Sequence, residues 1–169
     1  MALERLLSLG HQRIAMISAP LAMNFSAQRR ASFLATLESA GLAVGPRHLV
    51  DECIDRRAGY SAVQTLLVTT PRPTAIVVDN HLAGVGAVRA LLDAGIAVGR
   101  DISIIVWGSM ADTLADIDVT TIDQPNACAA GARMADMLLA LINGKPAAGL
   151  QELWQPALLA GATTGPAAR

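Results

Sequence analysis

Short runs of apolar, largely β-branched residues alternate with longer segments that have helical periodicity along this chain. The runs lie at 13–18, 48–51, 74–78, 102–106, 119–122 and 153–160. Several contain unbroken apolar stretches, such as Ile14-Ala-Met-Ile17 and Ala75-Ile-Val-Val78, which are typical of strands buried on both faces of a parallel sheet. Their alternation with helix-length segments predicts an α/β fold with right-handed connections and a mostly parallel sheet.

The intervening segments are predicted to be helices. The first ends at about residue 9, and the others span 26–40, 58–69, 81–94 and 126–142. A short helical turn is predicted at 112–115. Gly10, Gly41 and Gly95 follow three of these helices, at positions where a left-handed residue commonly ends a helix. Ser26 and Asn80 are predicted to be N-caps. Pro125 suits the first turn of the last helix. Residues 163–169 are interpreted as a terminal tail.

Five parallel strands in such a fold are expected in the flavodoxin-like order 2-1-3-4-5, flanked by helices. Ligands of these folds bind outside the carboxyl ends of the strands, where the strand order reverses. Residues 18–29 follow the first strand and Asp79-Asn80 follow the third. The run 101–109 (DISIIVWGS) also turns from apolar to small and polar residues at that edge. The sequence therefore predicts a ligand-binding cleft there.

The composition is apolar for a free-standing domain, with 53% hydrophobic and 16% charged residues against averages of about 45–50% and about 25%. Either the chain is simply rich in alanine, or some apolar surface normally faces another part of a protein. The net charge of −1 and the scattered arginines predict that this chain does not bind DNA by itself.

Two distant cysteines without metal-ligand spacing fit a reducing compartment. No apolar run approaches the ~20 residues that span a bilayer, and the first residues do not have the layout of a signal peptide. We therefore expect a cytoplasmic protein without a membrane partner.

The motifs of catalytic and phosphate-binding sites are missing from the sequence. No Walker A pattern, no nucleophile elbow and no Gly-x-Gly-x-x-Gly after a strand occurs; Gly84-Val85-Gly86 lies inside a predicted helix and is interpreted as a packing feature. The three histidines do not have metal-site spacing, and His11 is interpreted as a hydrogen-bonding loop anchor. We therefore expect no catalytic residue, metal or cofactor, and no enzymatic activity.

Six short motifs occur in a consistent order along nearly the whole chain, from Leu6 to about Thr164. They are Leu9-Gly-His-Gln-Arg-Ile-Ala, Arg29-x-x-x-Phe33, Thr74-Ala-Ile-Val-Val-Asp-Asn, Gly86-Ala-Val-x-Ala-Leu, Gly95-Ile-x-Val-Gly-x-Asp-Ile-Ser-Ile and Leu114/Val119-Thr-Thr-Ile-Asp-Gln-Pro. Each is weak alone, but together they resemble the effector-binding region of LacI/GalR-type transcriptional regulators.

The resemblance implies a periplasmic-binding-protein-like core, in which a small-molecule effector, a sugar or a similar polar ligand, binds between two lobes. It also implies that the protein is a repressor and a homodimer, and that it contacts DNA through a helix-turn-helix domain. Residues 1–123 match the second lobe and 124–169 match the segments that cross back to the first lobe. The first lobe and the DNA-binding domain have no counterpart, so the chain is interpreted as part of a longer regulator.

The resemblance also implies ligand-binding residues. Arg29 matches an arginine that binds effector hydroxyls or carboxylates, a role that suits a guanidinium with several fixed donors. Asn80 matches an asparagine that both donates and accepts. Gly108 stands where the family often has an aspartate, which argues against a simple aldose as ligand. The remaining candidates are the acceptors Asp79 and Ser109, Gln124 near the lobe crossing, and Trp107, which either stacks on a ligand or belongs to the core.

The crossing helix would lose its packing surface if the first lobe is missing. Its apolar residues are Met134, Met137, Leu138, Leu141 and Ile142. An uncovered face of this kind favours dimerisation or domain swapping. Two other functions stay open from the sequence: a solute-binding protein of sugar uptake, and a small flavodoxin-like α/β enzyme.

Overall fold

The computed structural model describes residues 1–110, 116–124 and 126–168. Five α-helices lie in this part of the chain: α1 (Ala2–Ser8), α2 (Asn24–Ser39), α3 (Arg56–Leu67), α4 (His81–Asp93) and α5 (Ala127–Ile142). The strands are β1 (Ile14–Ile17), β2 (Leu49–Val50), β3 (Ala75–Val78), β4 (Ser103–Trp107), β5 (Thr121–Asp123) and β6 (Ala157–Leu159). The predicted turn at 112–115 and the prediction for Pro125 lie outside the described residues.

The strands form one sheet in the order β2-β1-β3-β4-β5-β6. All pairs from β2 to β5 are parallel, and β6 joins β5 in the antiparallel direction, with Ile122 opposite Leu158. The predicted α/β class and the strand order 2-1-3-4-5 are confirmed. Residues 157–159 extend this sheet, whereas the sequence interpretation placed them among segments that pack on another lobe. The division of the chain at residue 123 stays a prediction.

Alternate residues of the central strands point to opposite faces of the sheet, so one continuous apolar run supplies two cores. On one face, residues such as Ile17, Ile76 and Val106 pack under α3 and α4. On the other face, residues such as Met16 and Ile105 pack with α1 and α2.

Helices α3 and α4 cross closely because glycines stand at their contact. A Cβ added to Gly59 would overlap the carbonyl group of Ala83, and one added to Gly86 would overlap the carbonyl oxygen of Arg56. Gly84 leaves similar room for Val106 of the sheet. The interpretation of Gly84 and Gly86 as packing features is confirmed.

Helix α5 differs from the other helices because none of its described residues is buried. Met134 is 70% exposed and Ile142 is 72% exposed. Asn126 caps the helix by accepting a hydrogen bond from the Cys128 N–H at 2.7 Å. The N-terminus of the helix is thus capped, but its apolar side chains lack a packing surface within the described part of the chain.

The segment after β6 is not the free tail that the sequence predicted. Thr163 is buried, its carbonyl accepts from the Ile104 N–H at 2.8 Å, and its hydroxyl accepts from the Thr120 N–H at 2.8 Å. The prediction was wrong because short polar side chains give no apolar signal, although they can complete the hydrogen bonding of strand ends.

His11 joins this segment to the sheet. Its Nδ1 lies 3.0 Å from Thr74 Oγ1, and its Nε2 lies 3.0 Å from both Ser103 Oγ and the Gly165 carbonyl oxygen. Because a carbonyl only accepts, Nε2 carries the proton in this arrangement. The interpretation of His11 as a loop anchor is confirmed.

Candidate functional site

A cavity of about 550 Å³ opens between α1, α2 and the sheet, toward the carboxyl ends of the strands. Its floor consists of apolar strand residues, including Met16, Val77 and Ile105, and one wall is formed by α2. Three of the six predicted ligand-binding residues line it, namely Arg29, Asp79 and Trp107. An apolar cavity with a few convergent polar groups is typical of small-molecule sites.

Arg29 brings a charged side chain to the lining of this cavity. Its guanidinium carbon is 3.6 Å from the ring centroid of Trp107 and 4.9 Å from that of Phe25. Phe25 lies four residues earlier on α2, which places both side chains on one helix face. Arg29 Nη1 donates to the Asp79 carbonyl oxygen at 2.6 Å. The guanidinium is thereby held by two aromatic rings and by one hydrogen bond.

The charge of Arg29 is partly removed from water. Burial lowers the pKa of Arg29, and the nearby negative charge of Asp79 acts in the opposite direction. An arginine remains protonated under such conditions. The site therefore offers a fixed positive charge at the rim of an apolar cavity.

Asp79 holds the loop between β1 and α2. This carboxylate is only 2% exposed. Its Oδ1 accepts from the Ala19 N–H at 2.9 Å and from Asn80 Nδ2 at 3.0 Å, and its Oδ2 lies 2.7 Å from the hydroxyl of Ser26. Much of its accepting capacity is thus used within the protein. A direct contact between Asp79 and a ligand stays a prediction.

Ser26 is not the N-cap of α2, so that prediction was wrong. The helix begins at Asn24 with Met23 at the N-cap, and no side chain caps it. Ser26 is buried in the first turn, where its hydroxyl reaches the Asp79 carboxylate and the Ala19 carbonyl. The residue types that cap helices also serve as buried hydrogen-bond donors, and the sequence did not distinguish these roles.

Asn80 is the N-cap of α4, as predicted. Its Oδ1 accepts from the Ala83 N–H at 2.9 Å, while Nδ2 donates to the Cys53 carbonyl at 2.8 Å and to Asp79. Both amide hydrogens therefore have partners, and Asn80 is not among the cavity-lining residues. Its predicted ligand contact is not supported by this geometry and stays a prediction.

Gln124 and Ser109 lie outside the cavity lining. Gln124 is exposed just after β5, and its Oε1 accepts from the indole N–H of Trp107 at 3.3 Å. Ser109 is exposed beyond β4. Gln124 is thus linked to the site through Trp107, and the ligand contacts of both residues stay predictions.

Gly108 has a backbone conformation that excludes most side chains. Its φ is +97°, and an added Cβ would lie 3.1 Å from the Cβ of His81. An aspartate at this position would therefore be strained. The local backbone conformation thus disfavours a carboxylate-bearing side chain at this position.

Sequence reasoning missed a polar row on α2. Gln28, Ser32 and Thr36 line the cavity beside Phe25 and Arg29. Their spacing of four residues places them on one helix face, and this spacing was the signal that could have identified them.

Cys53 does not provide an activated nucleophile. Burial, together with the surrounding carboxylates, raises the pKa of Cys53 to about 11, so its thiol stays protonated near neutral pH. In the described residues, no three His, Cys, Asp or Glu side chains are grouped as a metal site. None of the helices described combines the length and apolar character needed to cross a bilayer.

The chain is similar to known proteins over nearly its whole length. A family model described as a periplasmic binding protein-like domain matches residues 3–164. The chain is 35% identical to the HTH-type transcriptional regulator RafR of Escherichia coli over 164 residues, covering 96% of this chain and 48% of that protein. It is 34% identical to the HTH-type transcriptional regulator AglR of Rhizobium meliloti, covering 98% and 48%. The chain thus spans about half the length of these curated relatives.

Solved structures extend the agreement to three dimensions. A protein of Yersinia pestis biovar Microtus superposes with a TM-score of 0.92 at 38% identity, covering 99% of this chain and 60% of that one. A LacI family transcriptional regulator of Bifidobacterium animalis superposes with a TM-score of 0.85 at 28% identity, with the same coverage. The chain therefore belongs to the periplasmic binding protein-like domain family, in the form found in LacI-family transcriptional regulators.

Proposed function

We propose that this chain is the effector-sensing part of a LacI-family transcriptional regulator, a repressor. It binds a small polar effector at the carboxyl ends of its strands and thereby modulates DNA binding by a helix-turn-helix domain elsewhere in the protein. The observation that carries this proposal is Arg29, held by Trp107, Phe25 and the Asp79 carbonyl at the rim of a cavity. The relatives named as HTH-type regulators support it.

The geometry suits binding that is both oriented and reversible. The two aromatic rings and the Asp79 carbonyl keep the guanidinium in one position, so little side-chain entropy is lost when a ligand binds. The remaining N–H groups donate to ligand oxygens, while the strand residues of the floor contact its less polar parts. An effector can shift the regulator between two states only to the extent that it binds one state more tightly than the other.

The named relatives favour a regulator over the two alternatives. RafR and AglR are both HTH-type transcriptional regulators, which supports neither a solute-binding protein of sugar uptake nor an enzyme. Our proposal accordingly includes no catalysis, a cytoplasmic location, and a homodimer whose DNA contacts lie outside this chain. The exposed apolar side chains of α5 support association.

A thermal-shift screen tests effector binding. The chain is heated with a panel of sugars, sugar acids and nucleobases, and a ligand at about 100 times its Kd should stabilise the fold by about 2.7 kcal/mol. The stabilising compound is then tested with Arg29→Ala and with the control Arg89→Ala, which lies on the exposed side of α4 and is 67% exposed. We expect the stabilisation to disappear only in Arg29→Ala.

Two results would count against the proposal. Unchanged stabilisation of Arg29→Ala would remove Arg29 from the site. Turnover of a compound that stabilises the protein would revive the enzyme alternative. In the complete regulator, Arg29→Ala should weaken the effector response and leave operator binding largely intact, which a gel-shift titration measures.

A further inference from the structure

Two neighbouring arginines on α2 have different electrostatic surroundings. Arg30 forms an ion pair with Asp51, which also accepts from the hydroxyl of Ser18 at 2.8 Å. Arg29 forms no ion pair with any carboxylate in residues 1–110, 116–124 and 126–168. Its only hydrogen bond among these residues goes to the neutral Asp79 carbonyl. Arg29 is half-buried, and a charge that is removed from water is stabilised by a partner of opposite charge.

The nearby acidic group does not supply this partner. The Asp79 carboxylate accepts from the Ala19 N–H and Asn80 and is also approached by the hydroxyl of Ser26. At the end of β4, Gly108 has no side chain, and its backbone does not readily accept one. The described rim of the cavity therefore offers hydrogen-bond donors and a positive charge to a ligand.

The direction from which a ligand can reach Arg29 is also restricted. Trp107 lies on the guanidinium plane, Phe25 is the second aromatic ring within 5 Å, and one corner is bonded to the Asp79 carbonyl. The guanidinium has further N–H donors in a planar fork, and no hydrogen bond from them is found among the described residues. Two coplanar acceptor oxygens match an edge of such a fork, as in an arginine–carboxylate pair.

We propose that the effector carries a carboxylate, as a sugar acid does, and that this carboxylate pairs with the free edge of Arg29. The inference rests on the proposed function, because it names the chemical class of the effector at the same site. The polar row of Gln28, Ser32 and Thr36 then contacts the hydroxylated part of the ligand.

Three matched probes test this proposal: D-glucose, D-glucuronate and D-glucose 6-phosphate, which share a ring and differ in charge. Binding is followed by the fluorescence of Trp107 in a Trp154→Phe background, because Trp107 contacts the guanidinium directly. We expect glucuronate to bind about tenfold or more tightly than glucose, the factor that one charged hydrogen bond contributes. Added salt should reduce this preference.

Arg29→Gln should bring the ratio of the glucuronate and glucose affinities to about one, while the control Arg89→Gln keeps it. Circular dichroism and the melting temperature establish that both variants are folded. A role of Arg29 in stability alone would change the melting temperature without changing this ratio.

Three outcomes would overturn the inference. If glucose binds as tightly as glucuronate, Arg29 recognises hydroxyls, and the proposed function still stands. If glucose 6-phosphate binds best, the recognised group is a phosphoryl group. If glucuronate gives no response at millimolar concentration, the carboxylate class is wrong, and the wider thermal-shift panel decides separately whether the chain binds an effector.

Discussion

Helices α4 and α5 are both rich in apolar residues, but they have opposite surroundings. Eight residues of α4 are buried against the sheet and α3, whereas none of the described residues of α5 is buried. An apolar helical pattern therefore indicates that a packing surface is needed, but not which part of a protein supplies it. For α4 the sheet supplies it, and for α5 the described chain does not.

Leucine truncation should give the largest difference between these helices. Leu91 of α4 is fully buried, while Leu138 of α5 is 58% exposed. We expect Leu91→Ala to lower the free energy of unfolding by about 2–5 kcal/mol, and Leu138→Ala to change it by less than about 0.5 kcal/mol. Urea unfolding measures both. Equal losses would show that α5 is packed in solution.

Glycine substitution should act in opposite directions in the two helices. A Cβ at Gly86 overlaps the backbone of α3, so Gly86→Ala should destabilise the protein by about 1–3 kcal/mol. A Cβ at Gly131 meets nothing within 4 Å, and alanine is the better helix former, so Gly131→Ala should stabilise α5 by about 0.5–1 kcal/mol. Thermal unfolding followed by circular dichroism compares them; destabilisation by Gly131→Ala would reveal a hidden contact.

Self-association should depend on α5. If its apolar side chains find a partner in a second copy, light scattering at high micromolar concentration should detect a dimer of the 169-residue chain. Leu138→Lys should weaken the dimer about tenfold or more, whereas Arg89→Lys, on the exposed side of α4, should not. A monomeric wild-type chain at that concentration would contradict this expectation.

The smallest effect is expected at His11, which anchors the segment after β6 to the packed sheet. Burial lowers the pKa of His11 below the ordinary 6.5, and the hydrogen bond to Gly165 partly opposes this. As pH falls through 6.5, the unfolded chain binds a proton before the folded chain does, so stability decreases toward the lowered folded pKa. Melting temperatures between pH 7.5 and 5.5 should fall less in His11→Gln than in the wild type or in the control His81→Gln. Identical slopes would contradict the assignment.

Much of the fold could be predicted because its signals are local and strong. The buried parallel strands appear as continuous apolar runs, and the strand order follows from the alternation of strands with helices. Asn80 was identified as a cap because its residue type precedes an apolar helical pattern.

The site was predicted less completely because its geometry arises from long-range contacts. Nothing in the spacing of Arg29 and Trp107 indicates that their side chains stack. Nor does the sequence show that the side chains of Asp79 and Asn80 form hydrogen bonds with neighbouring loops. Resemblance to a family identified the edge of the sheet, but the structure was needed to show which polar groups remain available.

Effector binding at the carboxyl ends of the strands is tested by the ¹H–¹⁵N spectrum of the chain with and without the compound that stabilises it in the thermal-shift screen. We expect the largest shifts at the Arg29 side chain, the Trp107 indole N–H and the amide of Ala19. Shifts centred instead on His11 and Gly165, at the opposite edge of the sheet, or on α5 would contradict effector binding at the carboxyl ends of the strands.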